Sequence, residues 1–353
     1  MIVGAYMLDL IEILKDQPKY RRDQILKAWF DVHLDSFEKI TTLPKDLRSM
    51  LSVEKWLCLE PITVQTSTVD STQKALFRLS DGLLIESVLM GRINKKVSSE
   101  RDFRHTICIS TQVGCPMKCV FCATGKLGFK RNLTWREMID EVRFWQIYLY
   151  KNFGDEAKIS NIVLMGEGEP LLNYDNVKES LNIILGNLEI GPRQITVSTC
   201  GVPEGMDKIV TDIDWPPVRL ALSLHSAIEE TRKKIMPSHC DGFLDFLVGW
   251  SKKFHERFSS RTQFVGLEYT LLAGVNDDDK HLRALKKLAS KLGRVRINLI
   301  PYNATSGEFR GSDETIINKW HEEIMAAGFT STVRRSQGQD IAAACGQLAL
   351  QSK

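Results

Sequence analysis

The chain has 353 residues, a net charge of +3 at pH 7 and 43% hydrophobic residues, which are ordinary values for a globular protein. This length accommodates one large domain and a smaller one. No run of about 18 apolar residues occurs, so we expect no membrane-spanning helix and no membrane partner. The N-terminal segment lacks the basic region of a signal peptide, and the chain contains eight cysteines. Together these features predict a cytoplasmic protein whose cysteines bind a metal or act in catalysis.

The first 103 residues predict two small units. Residues 1–55 favour short helices, with Ile25, Leu26, Trp29 and Phe30 on one helical face, and we expect a helical accessory domain there. The basic residues off that face fit a solvated surface as well as one that contacts RNA. Residues 56–103 alternate as strands at 62–66, 75–79 and 83–88, which predicts a β-meander or linker.

From residue 104 to 353 the pattern changes to β-branched apolar runs that alternate with amphipathic helices. This alternation predicts an α/β fold with a parallel sheet, either open or closed into a barrel. The predicted strands are 106–111, 161–165, 194–198, 218–224, 265–271, 295–300 and 330–333. The predicted helices are 134–151, 174–188, 203–212, 227–235, 243–258, 277–292, 313–327 and 338–349. In such folds the chemistry collects at the carboxyl ends of the strands.

Three cysteines follow the first of these strands in a C-x3-C-x2-C spacing: Cys115, Cys119 and Cys122. Thiolates at this spacing can hold three irons of a 4Fe–4S cluster and leave the fourth iron open, whereas such clusters normally have four cysteine ligands. Three buried apolar cysteines are one alternative. A zinc site is another, although zinc usually takes four ligands in paired motifs and no second C-x2-C occurs in the chain. The spacing resembles the signature of radical S-adenosylmethionine (SAM) enzymes, in which the open iron binds SAM.

Polar residues follow the next strands at the same predicted edge of the sheet. The glycines of the segment 164–173 permit close backbone approach to a ligand, and Glu169 can accept hydrogen bonds from an ammonium group. An ordinary βα turn is the alternative for this segment. His225 follows the end of another strand. Its position favours contact with a ligand, and the alternative is a buried histidine whose hydrogen bonds are satisfied within the core. Asn298 and Asn303 can bond an adenine or ribose edge.

Two further cysteines lie far apart in the chain. Cys108 lies in the first predicted parallel strand, where packing is the usual role of a free cysteine. Cys345 stands among small residues and precedes Gly346, which suits an exposed, reactive thiol, although these residues taken alone favour a cysteine that packs a helix.

Taken together, these motifs resemble the RlmN/Cfr family of RNA adenosine methyltransferases over nearly the whole chain. The matching segments are 112–125, 166–173, 198–202, 223–225, 297–303 and 338–348, and residues 19–27 resemble the accessory RNA-binding domain. The resemblance implies a partial (β/α)6 barrel and methylation of adenosine C2 in 23S rRNA, with tRNA as a second substrate. Methylation of C8, as in Cfr, is the alternative within the class. A zinc-dependent RNA-binding module is the alternative from another class.

The resemblance also implies a mechanism that consumes two SAM molecules per turnover, with an electron donor such as flavodoxin. Cys345 would accept a methyl group from the first SAM. The second SAM, cleaved at the cluster, would give a radical that activates this methyl group for addition to adenine. Cys108 would release the resulting protein–RNA adduct by forming a disulfide with Cys345, and Glu86 would accept a proton. The residues that would contact SAM are Gly168, Glu169, Ser198, Ser223, Leu224, His225 and Asn303.

The sequence departs from the family pattern at three places. Position 167 is glutamate where the family usually has methionine, and position 200 is cysteine where it usually has serine. The segment 90–104 is longer and more basic than usual, which affects the placement of Glu86.

Overall fold

The N-terminal part of the chain forms short helices that pack onto the main domain. The computed structural model describes residues 10–92, 104–260, 263–305 and 308–348. Helices α1 (Leu10–Lys15), α2 (Lys19–Trp29) and α3 (Lys45–Leu51) confirm the predicted helical segment, and a 3-10 helix spans Phe37–Lys39. The guanidinium of Arg143, in the main domain, lies over the ring of Trp29 at 4.3 Å and donates to its carbonyl at 2.7 Å. This part of the accessory segment is therefore fixed to the main domain.

A ten-stranded mixed sheet organises the described residues, in the order β1-β2-β3-β4-β7-β8-β9-β10-β11-β12. Its strands are β1 (Glu60–Thr66), β2 (Gln73–Arg78), β3 (Leu84–Arg92), β4 (Arg104–Cys108), β7 (Ile159–Leu164), β8 (Ile195–Thr199), β9 (Arg219–Ser223), β10 (Val265–Leu271), β11 (Val295–Pro301) and β12 (Thr330–Val333). In this sheet, neighbouring strands from β1 to β4 pair antiparallel. The strands from β4 through β7 to β12 pair parallel with their neighbours in the order given.

The seven predicted parallel strands are all present, and the predicted α/β fold with a parallel sheet is confirmed. The predicted β-meander is also present, and its last strand, β3, pairs with β4. The meander therefore extends the main sheet at one edge. The basic residues Lys95, Lys96 and Arg101 fall in 93–103, outside the described residues.

Helices connect the parallel strands, as their amphipathic patterns predict. They are α4 (Ala123–Leu127), α5 (Trp135–Phe153), α6 (Tyr174–Asn187), α7 (Pro203–Thr211), α8 (Glu229–Ile235), α9 (Phe243–Arg257), α10 (Asp279–Ala289) and α11 (Glu314–Ala326). Short 3-10 helices span Pro170–Asn173, Pro192–Gln194 and Gln339–Ile341. A capping box between Thr134 and Glu137 starts α5. No helix among the described residues is long and apolar enough to cross a membrane.

The predicted helix over 338–349 is wrong. Only Gln339–Ile341 forms a 3-10 turn, and Gly338 (φ 69°), Ala342 (φ 51°) and Gly346 (φ 80°) adopt left-handed conformations. A right-handed helix cannot continue through such residues. The segment instead forms a loop whose carbonyl groups bond to other parts of the chain.

A two-stranded hairpin carries the cysteine motif. Strands β5 (Gln112–Gly114) and β6 (Phe129–Asn132) pair antiparallel, and α4 lies between them. The hairpin requires glycine at position 114, because φ is 71° there and an added Cβ would lie 1.8 Å from the Gly128 carbonyl oxygen. This close approach fixes the start of the loop that carries the three cysteines.

Candidate functional site

A cavity of about 160 Å³ opens where the parallel strands end, as the fold predicts. It collects side chains from the cysteine loop, from the ends of β7 to β11, and from the C-terminal loop. Its lining includes Cys115, Cys119, Cys122, Gly168, Glu169, Ser198, Cys200, Ser223, His225, Glu268, Thr270, Tyr302, Asn303, Arg334 and Cys345. The structure thus brings together at one cavity most of the residues that the sequence predicts for the site.

The three motif cysteines reach this cavity from one loop. The Cys115 N–H donates to the Gly128 carbonyl at 3.1 Å, and the Cys122 N–H donates to the Cys119 carbonyl at 3.1 Å. Cys115 and Cys119 are 9% and 7% exposed, and burial raises the pKa of Cys115 to about 12. Buried thiols of this kind gain stability as thiolates when they ligate a metal.

The donor set at this cavity fits a cluster. Three thiols from one loop line it, and thiolates are the ligands that a 4Fe–4S cluster takes. Cys115, Cys119 and Cys122 are the residues that would hold it.

Glu169 is a buried carboxylate on the cavity wall. It is 1% exposed, and its two oxygens accept from the backbone N–H groups of Leu171 at 3.0 Å and Cys200 at 2.6 Å. Burial raises its pKa, although these hydrogen bonds oppose the rise. The donors that bind this carboxylate are neutral, so a cationic ligand such as an ammonium group would stabilise its ionised form.

His225 supplies a neutral imidazole to the cavity. Its Nδ1 accepts from the Thr270 N–H at 3.0 Å, which assigns the ring proton to Nε2. Burial, together with the nearby Arg232 guanidinium, lowers the pKa of His225 to about 3. The ring packs edge-on against Phe121, with a centroid distance of 4.7 Å, so its orientation is fixed. The Nε2–H group is thus a fixed donor for a ligand.

The other strand-end residues divide into two groups. Ser198 and Ser223 line the cavity, whereas Leu224 does not; it is fully buried in the main hydrophobic core. The side chain of Asn298 bonds to Glu268 at 2.7 Å. The contact between Leu224 and SAM stays a prediction.

The C-terminal loop places Cys345 at the cavity. Asn303 Nδ2 donates to the Cys345 carbonyl at 3.1 Å and to Ser336 Oγ at 2.9 Å. The Thr124 hydroxyl donates to the Leu348 carbonyl at 2.9 Å. Cys345 is exposed, as expected for a reactive thiol. In the structure, Asn303 therefore positions the Cys345 loop.

A second cavity, of about 520 Å³, joins Cys345 to Cys108. Both cysteines line it, together with residues of β3, β4 and β7. Burial, with a smaller contribution from Cys345, raises the pKa of Cys108. All eight cysteines, each within the described ranges, are free thiols. The expected Cys108–Cys345 disulfide is therefore not a feature of this structure and stays a prediction for turnover.

Glu86 lies outside the lining of both cavities. It is fully buried on β3, and its carboxylate pairs with the buried Lys74 ammonium at 2.8 Å. Val88 and Met90, two and four residues further along β3, line the second cavity, so Glu86 points to the same face of the strand. Its role as proton acceptor stays a prediction.

Glu167 points away from the first cavity, although its neighbours Gly166 and Gly168 line it. Its side chain is 1% exposed and accepts from the backbone N–H groups of Glu86 at 2.9 Å and Gly114 at 3.2 Å. The glutamate that replaces the usual family methionine therefore connects β3 to the start of the cysteine loop.

Sequence reasoning missed several cavity residues: Cys200, Glu268, Thr270, Tyr302 and Arg334. Glu268 is 4% exposed, burial raises its pKa, and Arg334 lies 3.7 Å from its carboxylate. Each of these residues lies in or just after a parallel strand. The rule that points to strand ends could have found them. Cys200 and Tyr302 also lie in the matching segments 198–202 and 297–303, whereas no motif marked Glu268, Thr270 or Arg334.

Comparison with known proteins agrees with this site. The Radical SAM superfamily model matches residues 109–285. The dual-specificity RNA methyltransferase RlmN of Lawsonia intracellularis is 38% identical over 344 residues, covering 96% of this chain and 92% of the relative. RlmN of Alcanivorax borkumensis is 37% identical, with 96% and 86% coverage. A solved radical SAM methyltransferase from Sphaerobacter thermophilus superposes with a TM-score of 0.84 at 33% identity and covers 98% of both chains.

Proposed function

Because this chain belongs to the RlmN family of radical SAM RNA methyltransferases, we propose that it methylates C2 of adenosine in 23S rRNA and in tRNA. The relatives carry the name "dual-specificity RNA methyltransferase", which supports two RNA substrates. We assign the reaction to the cytoplasm, with flavodoxin or a similar protein as electron donor. The alternative that the chain is a zinc-dependent RNA-binding module without enzymatic activity is wrong, because the family is one of methyltransferases.

The position of Cys345 carries this proposal. A methyl carrier must reach SAM for its own methylation and must then reach the RNA base. Cys345 lines the cavity that contains Cys115, Cys119 and Cys122, and it also lines the second cavity beside Cys108. An exposed thiol at the junction of two cavities meets both requirements.

The first cavity supplies the groups that hold the cofactors. Cys115, Cys119 and Cys122 would bind the 4Fe–4S cluster, which supplies, when bound, the electron that cleaves SAM. The Glu169 carboxylate would bind the ammonium group of SAM by a charge-assisted hydrogen bond. His225 Nε2–H, Ser198 and Ser223 are the neighbouring donors that would orient the rest of the molecule.

Cys345 would act as the nucleophile in the first half of the reaction. Its thiolate attacks the methyl group of one SAM, the methyl–sulfonium bond breaks, and S-adenosylhomocysteine leaves. Cys345 would then present its S-methyl group for loss of a hydrogen atom, the radical chemistry that the cluster and a second SAM molecule would supply when bound. Adenine C2 is electron-poor, so it accepts the resulting carbon radical where it could not attack a methyl cation equivalent.

Cys108 and Glu86 would complete the turnover. Addition to adenine links Cys345 covalently to the RNA. Glu86 would accept the proton from C2, and the cluster, when bound, would take up the unpaired electron of the adduct. The Cys108 thiolate would then attack the sulfur of Cys345, the carbon–sulfur bond would break, and the CH2 group on the base would take up a proton to become the methyl group. The resulting disulfide would be reduced by a dithiol reductant before the next turnover. The shared second cavity supports this exchange, because thiol–disulfide exchange requires the two sulfur atoms to meet.

The experiment must distinguish methylation at C2 of adenosine from the alternative, methylation at C8. Holoenzyme reconstituted anaerobically is supplied with SAM, a reductant and either 23S rRNA or tRNA, and the digested nucleosides are identified by mass spectrometry. We expect 2-methyladenosine from both RNAs, and none from the Cys345→Ala variant. 8-Methyladenosine would overturn the C2 assignment, and product from one RNA alone would overturn the dual specificity.

A further inference from the structure

The thiol of Cys200 lies beside the sulfur of a cluster ligand. Cys200 Sγ is 4.0 Å from Cys119 Sγ, within the range of a hydrogen bond between sulfur atoms, and both residues line the first cavity. Position 200 is one of the departures from the family pattern, in which serine is usual. The proposed mechanism gives this thiol no role.

We propose that Cys200 is a positioning residue that donates an S–H hydrogen bond to the Cys119 thiolate and thereby raises the reduction potential of the cluster. This inference rests on the proposed binding of a cluster by Cys115, Cys119 and Cys122. A ligating cysteine is a thiolate and has no proton, so the hydrogen between the two sulfur atoms belongs to Cys200.

The backbone around Cys200 is held on both sides, so its thiol has a defined direction. Its N–H donates to Glu169 Oε2 at 2.6 Å, and its carbonyl accepts from Arg232 Nη2 at 2.5 Å. The next residue, Gly201, has a φ of 92°, and a Cβ there would lie 2.2 Å from the ring of Phe243. The turn therefore admits little movement.

The direction of the effect follows from charge. Reduction adds an electron to the cluster and increases the negative charge on its thiolate ligands. A hydrogen bond to one of these sulfur atoms stabilises the reduced state more than the oxidised state, and hydrogen bonds to cluster sulfur are among the factors that set the potential. Cys200 would therefore make the cluster easier to reduce.

The side chain of Cys200 also interacts with Glu169, the residue proposed to bind the SAM ammonium group. The Glu169 carboxylate has both the backbone N–H and the thiol of Cys200 as partners. The midpoint potential is therefore the readout that tests the contact with Cys119, and SAM affinity is measured beside it as a separate quantity.

The experiment measures the midpoint potential of the reconstituted holoenzyme by anaerobic redox titration, monitored by EPR spectroscopy. Cys200→Ala removes the thiol, Cys200→Val removes it while filling its volume, and Cys200→Ser keeps a hydroxyl donor. The matched control is Cys58→Ala, which removes a thiol that lines neither cavity and lies beside Asp140. Iron content and SAM affinity are measured for each variant.

We expect a more negative midpoint potential in Cys200→Ala and Cys200→Val, with wild-type iron content, and at least partial recovery in Cys200→Ser. Cys58→Ala should match the wild type. An unchanged potential in Cys200→Ala with full iron content would overturn the inference. Loss of iron from both Cys200→Ala and Cys200→Val would overturn the inference as well, because it would show that Cys200 has a structural role in holding the cluster. A wild-type protein without a cluster chromophore would overturn the proposed function instead.

Discussion

The N–H of Ala123 donates a hydrogen bond of 2.7 Å to the carbonyl oxygen of Gly346. Ala123 follows the last motif cysteine, and Gly346 follows Cys345. The loop that would hold the cluster and the loop that would carry the methyl group are thus joined directly. A shift of either loop would be transmitted to the other.

Asn303→Ala should loosen the Cys345 loop, and the three motif cysteines, none of which bonds to the Asn303 side chain, should still bind iron. The variant loses hydrogen bonds to the Cys345 carbonyl and to Ser336, each worth about 0.5–1.5 kcal/mol. We expect methyl transfer to Cys345 to slow roughly tenfold with iron content unchanged. Intact-protein mass spectrometry over time measures the transfer. Asn182→Ala, which removes one surface hydrogen bond, is the control, and equal rates in both variants would contradict a positioning role for Asn303.

Cys345→Ala and Cys108→Ala should stop the reaction at different stages. Without Cys345 there is no methyl carrier, so we expect an intact cluster and no methylated RNA. Without Cys108 the adduct forms but is not released, so we expect a covalent protein–RNA species. Denaturing gel electrophoresis before and after RNase treatment detects this species.

The two remaining peripheral cysteines provide controls for the adduct. Cys58→Ala and Cys240→Ala should give no RNase-sensitive shift, because neither thiol lines the two cavities. Normal turnover by Cys108→Ala would show that Cys108 is only a packing residue of β4.

Glu169→Gln should weaken SAM binding. The substitution keeps the side-chain shape but removes the negative charge, and a hydrogen bond to a charged group contributes about 1.5–3 kcal/mol. We therefore expect SAM affinity to fall roughly ten- to hundredfold with iron content unchanged. Equilibrium binding by isothermal titration calorimetry measures the affinity, with exposed Glu204→Gln as the control. Wild-type affinity would leave Glu169 as a turn residue that only binds backbone N–H groups.

Glu167 should make the stability of the protein depend on pH. Burial raises the pKa of Glu167 from 4.5 to about 8, so between these values the folded protein retains a proton that the unfolded chain has lost. The folded state then binds more protons, and stability falls as pH rises through this window. The contribution of protonated Glu167 to the free energy of unfolding is therefore fully present below pH 4.5 and is lost above about pH 8.

Glu167→Gln tests this dependence, because glutamine does not titrate. Thermal unfolding of both anaerobic holoenzymes across this pH window should show a shallower decline in the melting temperature for the variant. Parallel pH profiles would mean that Glu167 does not titrate in the window. Glu167→Met, the usual family residue, leaves the N–H groups of Glu86 and Gly114 without this acceptor and should be less stable than Glu167→Gln.

The sequence by itself determined the order along the chain of the parallel strands and of the helices up to residue 327. It also determined the identity of the cysteine motif. Apolar β-branched runs and amphipathic periods are local patterns, and the site motifs stand beside the strand ends to which the fold assigns chemistry. For the same reason the sequence identified Cys115, Cys119, Cys122 and Glu169 as residues of one site.

Only the tertiary structure decided how remote or neighbouring residues are oriented. The alanine-rich segment at 342–344 favours a helix locally, but left-handed residues and hydrogen bonds to Ala123 and Asn303 make it a loop. Glu167 and Glu169 are two positions apart, yet one binds the backbone of β3 and the other faces the cavity. Cys119 and Cys200 are paired because the cysteine loop and the end of β8 converge on that cavity. Local sequence encodes backbone preference, whereas such pairings depend on which distant groups folding brings within hydrogen-bonding distance.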